Sequence, residues 1–538
     1  MVVRNAYLIG GGIASLASAA YLIREGRIEG SNIHIFEELD ITGGSLDGIG
    51  DPDQGYSMRG GRMLNFSYGC TYDLFSFVPS LSNPKRTVLD EIQDFNKKVK
   101  THAKSRLVRN GEVVDSSSMG FSYKDRFDLL EILVKTEEGL GTKRITDCFA
   151  EEFFKTNFWY MWATMFAFQP WHSAVEFKRY LHRFMHEFPR INTLAGVDRT
   201  PFNQYESLVL PLEKWLRAEG VDFKLGAEVV DLEFLEGESE RSVNGIIYRQ
   251  DNHENEISID RDDMVFVTNG SMTANSALGS MTQPAPLKRE KVGGSFALWE
   301  RIARRRPEFG RPAVFDDRID ESKWLSFTVT LKDPTFFNLM EEFTGNSPGT
   351  GALVTFTDSN WLMSVVLAYQ PHFLNQPQDV QVFWGYGLYV DKPGNFVKKK
   401  MADCNGEEIM TELCSHLRFT QDLPKILQSA NCIPCMMPYI TSQFLTRAKG
   451  DRPQVVPDGW KNLAFVSQYC EQPDDVVFTV EYSVRAAQTA VYTLLGLNKS
   501  AIPVYDGQKD FSVLFNALKT TFKPGDSNTH EGPTLTPP

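Results

Sequence analysis

At 538 residues the chain is longer than one hydrophobic core can hold, so about two to four packed units are expected. Hydrophobic residues make up 42% and charged residues 23%, the balance of a soluble globular protein. The formal net charge of −13 excludes nucleic acid as a general partner, because phosphate binding needs a basic face.

Local basic clusters remain at Arg304–Arg306, Lys398–Lys400 and the pair Lys519 and Lys523. Each is either a contact for an anionic membrane or an ordinary solvated face. The first apolar strand begins near residue 4, so no signal peptide is expected. Seven cysteines, an odd number, then read as reduced thiols of a cytoplasmic protein. Cys432-Ile433-Pro434-Cys435 has the spacing of a redox or metal pair. Nothing supplies a second metal pair, so two buried thiols and no metal are expected.

In chain order, Tyr7-Leu8-Ile9 climbs into Gly10-Gly11-Gly12 and resumes at helical spacing through Ile13, Ala14, Ser15 and Leu16. Strand, glycine turn and helix start make an anion site: bare backbone approaches a pyrophosphate and helix amides point at it. Ser15 stands where the full fingerprint has glycine, as a small replacement that should still fit. The strand Asn32–Phe36 ends in Glu37, an acid placed to accept from both ribose hydroxyls of an adenosine. Two more glycine clusters follow, Gly43-Gly44-Ser45 and Arg59-Gly60-Gly61-Arg62. Three clusters in one short stretch suit FAD, held along its length, better than NAD.

Residues 80–150 read as a helical lobe. Phe158–Phe168 is aromatic on every face, which fits either a plain core helix or the wall of an apolar cavity. It is about half a membrane span. A helix continues over 173–186, and Asn203-Gln204-Tyr205 opens another. The strands at 222–225, 228–232, 245–248 and 264–267 read as the returning half of the nucleotide domain. A second insertion runs from about 290 to 430. Asn462–Gln468 is again a strand aimed at the cofactor, and Phe478 and Thr479 lead into a helix over 480–495. The N-terminus of that helix can neutralise charge on a flavin's pyrimidine edge. The tail from Pro524 is rich in Pro, Gly, Ser, Asn and Thr and is expected to be disordered.

With these motifs in place the chain resembles the oleate hydratases, once called myosin-cross-reactive antigens. The resemblance runs over nearly all of residues 4–520. It rests on Ile35-Phe36-Glu37-Glu38, Gly43–Gly48, Arg59–Arg62, Phe158–Phe168, Trp171–Glu176, Asn203–Ser207 and Val477–Arg485. It implies an α/β fold with α+β insertions. The core would be a discontinuous Rossmann-like FAD-binding domain of the glutathione-reductase type over 1–80, 195–290 and 436–500. A substrate lobe would occupy 81–194 and 291–435, a C-terminal helical segment 501–523 and a disordered tail 524–538.

Such enzymes add water to the cis double bond of oleate, giving 10-hydroxystearate, with FAD bound, favoured in its reduced form, and no net redox change. The resemblance makes Tyr180 the general acid. A phenol with a pKa near ~10 keeps its proton at neutral pH, and a dry pocket lets it hand that proton to an alkene. It places the cofactor against Gly10, Gly12, Ile13, Ala14, Ser15, Glu37, Gly43, Gly44, Ser45, Arg59, Gly60, Gly61, Arg62, Gln468, Phe478 and Thr479. It puts Gln204 and His372 at the substrate carboxylate.

Two departures stand out. The family's glutamate after Arg-Gly-Gly-Arg, which orients water, is Met63 here, beside Arg62. Water must then be placed by the backbone around Arg62–Leu64, by Asn65 or by the flavin. Val366 and Ala368 stand where relatives carry Thr and Asn, removing two donors from the head-group site. The chain begins without the N-terminal extension many relatives use for dimer contacts, so a monomer is expected, with peripheral membrane contact near Lys519 and Lys523. A redox flavoprotein of the amine oxidase or desaturase type shares the glycine turn, but has no reason to carry Trp171–Tyr180 and Asn203–Ser207. A fatty-acid-binding flavoprotein without chemistry is the third reading.

Overall fold

The computed structural model describes residues 4–61, 63–236, 241–291, 293–351 and 353–521. Arg62, Lys523 and the tail 524–538, all singled out in the sequence, lie outside the described residues.

The first strand, Ala6–Ile9, is buried along its length, and the helix Ile13–Arg24 buries every residue from Ile13 to Leu22. A helix enclosed on all sides needs small or apolar residues on all sides, which Ala14, Ala17, Ala19 and Ala20 supply. It packs against a parallel five-stranded sheet and the helix Val480–Leu494. The sheet runs Leu463–Phe465, Met264–Val267, Ala6–Ile9, Ile33–Glu37, Asp222–Leu225. Leu8 pairs with Ile35 on one side and Phe266 on the other. The order reverses at the first strand, and the crevice beyond the strands' carboxyl ends at such a reversal is where this fold takes ligands. The expected α/β class with a Rossmann-like domain is what folds.

The strands of the returning half divide between two sheets. Asp222–Leu225 and Met264–Val267 join the parallel sheet, but Glu228–Glu236, Arg241–Gln250 and His253–Ser258 form their own antiparallel meander. Alternation alone cannot tell which edge a strand will find. Residues 80–150 are not wholly helical. Their hairpin Leu107–Arg109 and Glu112–Val114 extends an eight-stranded sheet by pairing in parallel with Leu353–Phe356. That sheet also takes in Ala277–Leu278 and Ala430–Met437, on either side of the expected domain limits at 290 and 436.

The centre of the second sheet is Trp324–Leu331, buried on both faces and paired with Gln381–Gly387 and Ala430–Met437. Directly paired residues of an antiparallel sheet share a face. Ser326 with Tyr386 and Ser364, and Thr328 with Trp384 and Val366, therefore look the same way. The loop after the third glycine cluster's approach strand lies on that face: Met58 donates to Thr328 Oγ1 (3.1 Å) and Tyr56 to Thr330 Oγ1 (2.9 Å).

The aromatic helix Asn157–Phe166 covers the neighbouring part of the face, with Tyr386 donating to the Thr164 carbonyl. Its rings interlock with Phe188, Phe177 and one another, so it is a core helix. Among the described residues no helix is long and apolar enough to cross a membrane.

Three residues of the basic runs are ion-paired. Arg304 meets Glu300, Arg305 meets Asp231 and Lys399 meets Glu408. Cys432 and Cys435 are buried free thiols, with burial pushing Cys435 up to about 12.

Candidate active site

The phosphate turn is built by three glycines with different tasks. Gly12 is the N-cap of Ile13–Arg24 and brings no side-chain cap, so the amides of Ile13, Ala14 and Ser15 keep their donors for a ligand. A Cβ built on Gly12 meets no atom within 4 Å, so the turn opens onto space. Gly43 lies across it: the Gly43 amide donates to the Gly11 carbonyl (2.9 Å), and Gly12 and Gly43 form a parallel bridge. Gly43 holds φ +107° and Gly44 φ +57°, a left-handed pair that lets the second glycine cluster fold back on the first. Ser45 follows, half-buried, in a turn closed by the Leu46 amide on the Gly43 carbonyl (3.0 Å). Ser15 fits as expected: it is buried, with Oγ 3.2 Å from Thr268 Oγ1 at the end of the neighbouring strand.

Glu37 accepts from the amides of Gly11 (2.6 Å) and Leu39 (3.0 Å), one on each oxygen. Burial raises its carboxyl above the usual range against the pull of those amides. Each oxygen keeps lone-pair capacity for a further donor such as a ribose hydroxyl. Arg59 binds Asp47 (2.8 Å) and the Gly44 carbonyl (2.8 Å), fixing a cation beside the glycine doublet. Gly60's carbonyl accepts from the Gln204 side-chain amide. Gly61 lies next to Trp384, whose Cε3 is 3.9 Å from a Cβ built there. Trp324 Nε1, Ser326 Oγ and Trp384 Nε1 are buried with no partner. Polar atoms orphaned on the wall facing a glycine loop fit a polar planar ligand laid between them.

Tyr180 lies on the helix Ala174–Arg183 and is fully buried. Its ring meets those of Phe166, Phe168, Phe184 and Phe444 at centroid distances of 4.9, 5.0, 5.6 and 5.7 Å. Its hydroxyl donates to the Val477 carbonyl (2.5 Å). Phe478, next in the chain, has φ +71° and donates to Gln468 Oε1. Gln468 donates in turn to the Thr479 carbonyl (2.9 Å) and Ser483 Oγ (2.8 Å). Thr479 caps Val480–Leu494 by accepting from the Tyr482 amide (3.2 Å). Tyr180, Gln468, Phe478 and Thr479 therefore form one cluster at the positive end of a helix.

Met63 is half-buried against the pair Leu194 and Val197, on which Met165 also packs. Met165 precedes Phe166, whose ring meets that of Tyr180. Asn65 does not have a water-holding amide to offer. Its Nδ2 donates to Glu187 (2.9 Å) and the Gly196 carbonyl (3.1 Å), and its Oδ1 accepts from the Ser67 amide (3.1 Å) and lies 2.6 Å from Ser67 Oγ. Val366 pairs with Trp384 on the sheet face under the glycine loop, and Ala368 follows just past the end of that strand. His372's carbonyl accepts from Asn203's amide (2.9 Å) and side chain (3.1 Å), which places His372 beside Gln204. Burial, then the nearby Arg199, pushes His372 down to about 4, so its imidazole is neutral at pH 7.

A buried charge network that sequence reasoning missed holds the tyrosine helix. Arg452 meets Glu176 (3.1 Å), Arg447 meets Glu176 (3.2 Å), and Arg179 meets Glu137 (2.7 Å) and Glu471 (3.1 Å). Arg485 joins Asp475 (2.6 Å) and Glu481 (2.7 Å) on the flanking helix. Burial alone would raise Glu176, but Arg452, Arg447 and Arg179 outweigh it and hold the carboxyl at about 2. The signal was present as Glu176, Arg179 and Arg183 at helical spacing between apolar residues.

The family model for MCRA matches residues 3–492. The oleate hydratase of Streptococcus pyogenes serotype M49 (strain NZ131) is 40% identical over 527 residues, covering 96% of this chain and 89% of that protein. The linoleate hydratase of Lactiplantibacillus plantarum is 34% identical over 568 residues, covering 97% and 99%. Among solved structures, wild-type putrescine oxidase with bound putrescine overlays with a TM-score of 0.51 at 12% identity, covering 92% of this chain and 99% of that one. A redesigned putrescine oxidase reaches 0.53 at 13% identity with the same coverage, a likeness of fold. On the length and continuity of the sequence match, this chain belongs to the MCRA family.

Proposed function

We propose that the protein is a hydratase of unsaturated fatty acids, adding water across the cis-9 double bond of oleate-type substrates to give 10-hydroxy acids. The observation that carries the reading is Tyr180: a phenol sealed among four aromatic rings, its hydroxyl oriented by one carbonyl, beside a helix N-terminus. The enzyme names of the two relatives support the substrate class.

In the proposed step the Tyr180 O–H bond breaks as a C–H bond forms at one alkene carbon. Water adds its oxygen to the other carbon, and the proton it releases restores the phenol. Water and alkene are consumed and nothing is oxidised. The aromatic shell keeps bulk water from competing for the proton. Met63 cannot take a proton, and Asn65 is occupied, so water placement falls to the backbone beside residue 63 or to the cofactor. Met63→Glu is therefore expected to raise turnover about 10²-fold, the lower end of what a positioned base contributes in general acid–base catalysis. Unchanged or lost turnover overturns this account of water placement.

The cofactor in this reading is FAD. The uncapped amides of Ile13–Ser15 and open Gly12 would take its pyrophosphate, Glu37 its ribose, and Gly43–Ser45 with Arg59–Gly61 its middle. Gln468, Phe478 and Thr479 would meet the ring. When bound, it supplies a polarisable, charge-bearing surface beside the reacting carbons. The helix N-terminus at Thr479 favours the anionic reduced form. Residues 1–80, 195–290 and 436–500 would form the flavin domain, and 81–194 with 291–435 the substrate lobe.

The reading also takes the protein as a monomer that touches lipid surfaces. The helix Tyr123–Val134 exposes Tyr123 (86%), Phe127 (67%), Leu130 (45%) and Val134 (79%) in one stripe. Arg126 donates to the Thr521 carbonyl (2.9 Å), setting the helix Phe511–Thr521 beside it, with Phe515, Leu518 and Lys519 exposed. An apolar stripe beside Lys519 suits an anionic bilayer.

One incubation tests the whole. Oleate and heavy-oxygen water with the flavin-loaded protein should give labelled hydroxy acid with no net flavin oxidation, faster when the flavin is reduced. With oleate presented in anionic vesicles, the protein should sediment with them. Binding without product supports the carrier reading, and flavin bleaching by substrate supports the redox reading.

A further inference from the structure

Arg106 is a fully buried cation and Arg199 a half-buried one whose Nη2 is enclosed, and neither has a role above. Arg106 is fully buried; its Nε donates to the Leu353 carbonyl (2.8 Å) and its Nη1 to the Ile191 carbonyl, while Nη2 has no partner. Arg199 donates through Nε to Thr101 Oγ1 (3.2 Å), and its Nη2 is also buried without a partner. Among the described residues, neither guanidinium has a carboxylate within ion-pair distance. Burial acts first on Arg106, with the other arginine adding to it and Tyr386 opposing, and burial alone acts on Arg199. Both are pulled down to about 10 as a result.

The contrast within the same protein is plain. The buried Arg179, Arg183, Arg452 and Arg485 each sit against an acid. A desolvated cation left without its acid is costly unless a ligand completes it.

Their position says which ligand. Leu353, whose carbonyl holds Arg106, pairs directly with Val366. Arg199 lies four residues before Asn203, which binds the His372 carbonyl, and five before Gln204. Its charge reaches the His372 ring. Arg106 therefore holds the strand paired with Val366, and Arg199 begins the segment that leads into Asn203 and Gln204 beside His372. Val366 and Ala368 offer no side-chain donor there, and a neutral imidazole offers no charge. The cations are what an anion could use there.

Resting on the fatty-acid reading, we propose that Arg199, backed by Arg106, is the counter-ion of the substrate's carboxylate and makes the site selective for free acids over alcohols and esters. The ionised head group would accept from the unpartnered Nη2 atoms, restoring two buried donors and neutralising charge in one contact. The polar side chains missing at 366 and 368 are then replaced by ionic recognition.

The test uses the flavin-loaded protein with stearate and stearyl alcohol, which share a chain and cannot be hydrated. The parent should bind stearate at least tenfold more tightly than the alcohol, read by tryptophan fluorescence and by thermal shift. Arg199→Gln should lose about tenfold or more for stearate and nothing for the alcohol, while Arg199→Lys keeps part of the preference. Without ligand, Arg199→Gln should melt no lower than the parent, because it removes a lone buried charge. An Arg199→Gln protein that binds stearate like the parent overturns the proposal alone. A parent that binds neither lipid overturns the fatty-acid reading and the proposal with it. Should Arg199→Gln not fold, an unchanged stearate preference in Arg199→Lys overturns the proposal.

Discussion

Tyr180→Phe is expected to lower oleate hydration by about 10²–10⁴-fold, the usual contribution of a positioned acid. The substitution removes one oxygen and keeps the ring, so the contacts with Phe166, Phe168, Phe184 and Phe444 persist. The Val477 carbonyl loses the Tyr180 donor, a cost of about 1–3 kcal/mol if it is left unsatisfied. Flavin content and fatty-acid binding should therefore stay near those of the parent while turnover collapses. Single-turnover assays in labelled water separate the two effects. A phenylalanine variant that hydrates at the parent's rate overturns the role assigned to the phenol, whatever the fate of the fatty-acid reading.

Gly12→Asp should abolish flavin binding while leaving the fold intact. At most positions in a tight turn an added side chain damages the protein first, but a Cβ on Gly12 meets nothing within 4 Å. The residue's φ of −75° suits any amino acid. Asp at the N-cap would turn its carboxylate onto the first-turn amides, a favoured arrangement that changes helix stability by only a few tenths of a kcal/mol relative to Gly. It would thereby occupy the donors meant for pyrophosphate and set a negative charge against it. The variant should purify colourless, with its unliganded melting temperature within about 2 °C of the flavin-free parent, as a change of a few tenths implies. Yellow protein with the parent's flavin content overturns the assignment of this turn. A Gly43 substitution would be a poorer test, because φ +107° strains any side chain before a ligand is considered.

The parts of the site that were legible before folding are those whose partners are neighbours in sequence. The phosphate turn needs only a strand, three glycines and a helix start, and Ser15 could be judged by size alone. The two departures at Met63 and at Val366 and Ala368 were visible as missing chemistry, though not as what replaces it. That Glu228–Ser258 would form a meander of its own was not legible, because an alternating strand carries no label for the sheet it will join. The hairpin at 107–114 was read as part of a helical lobe because three-residue strands leave too short a pattern.

By itself, then, the sequence determined the class of fold and, through short-range pattern, offered the glycine turn and the distal acid as candidates, while the candidate phenol came from the family resemblance. Tertiary structure alone decided what each of these faces. Tyr180 meets a carbonyl 297 residues away, and Arg106 leans on one 247 residues away. A side chain's partner at that separation follows from how the layers pack, and packing is a property of the whole core that no local spacing encodes.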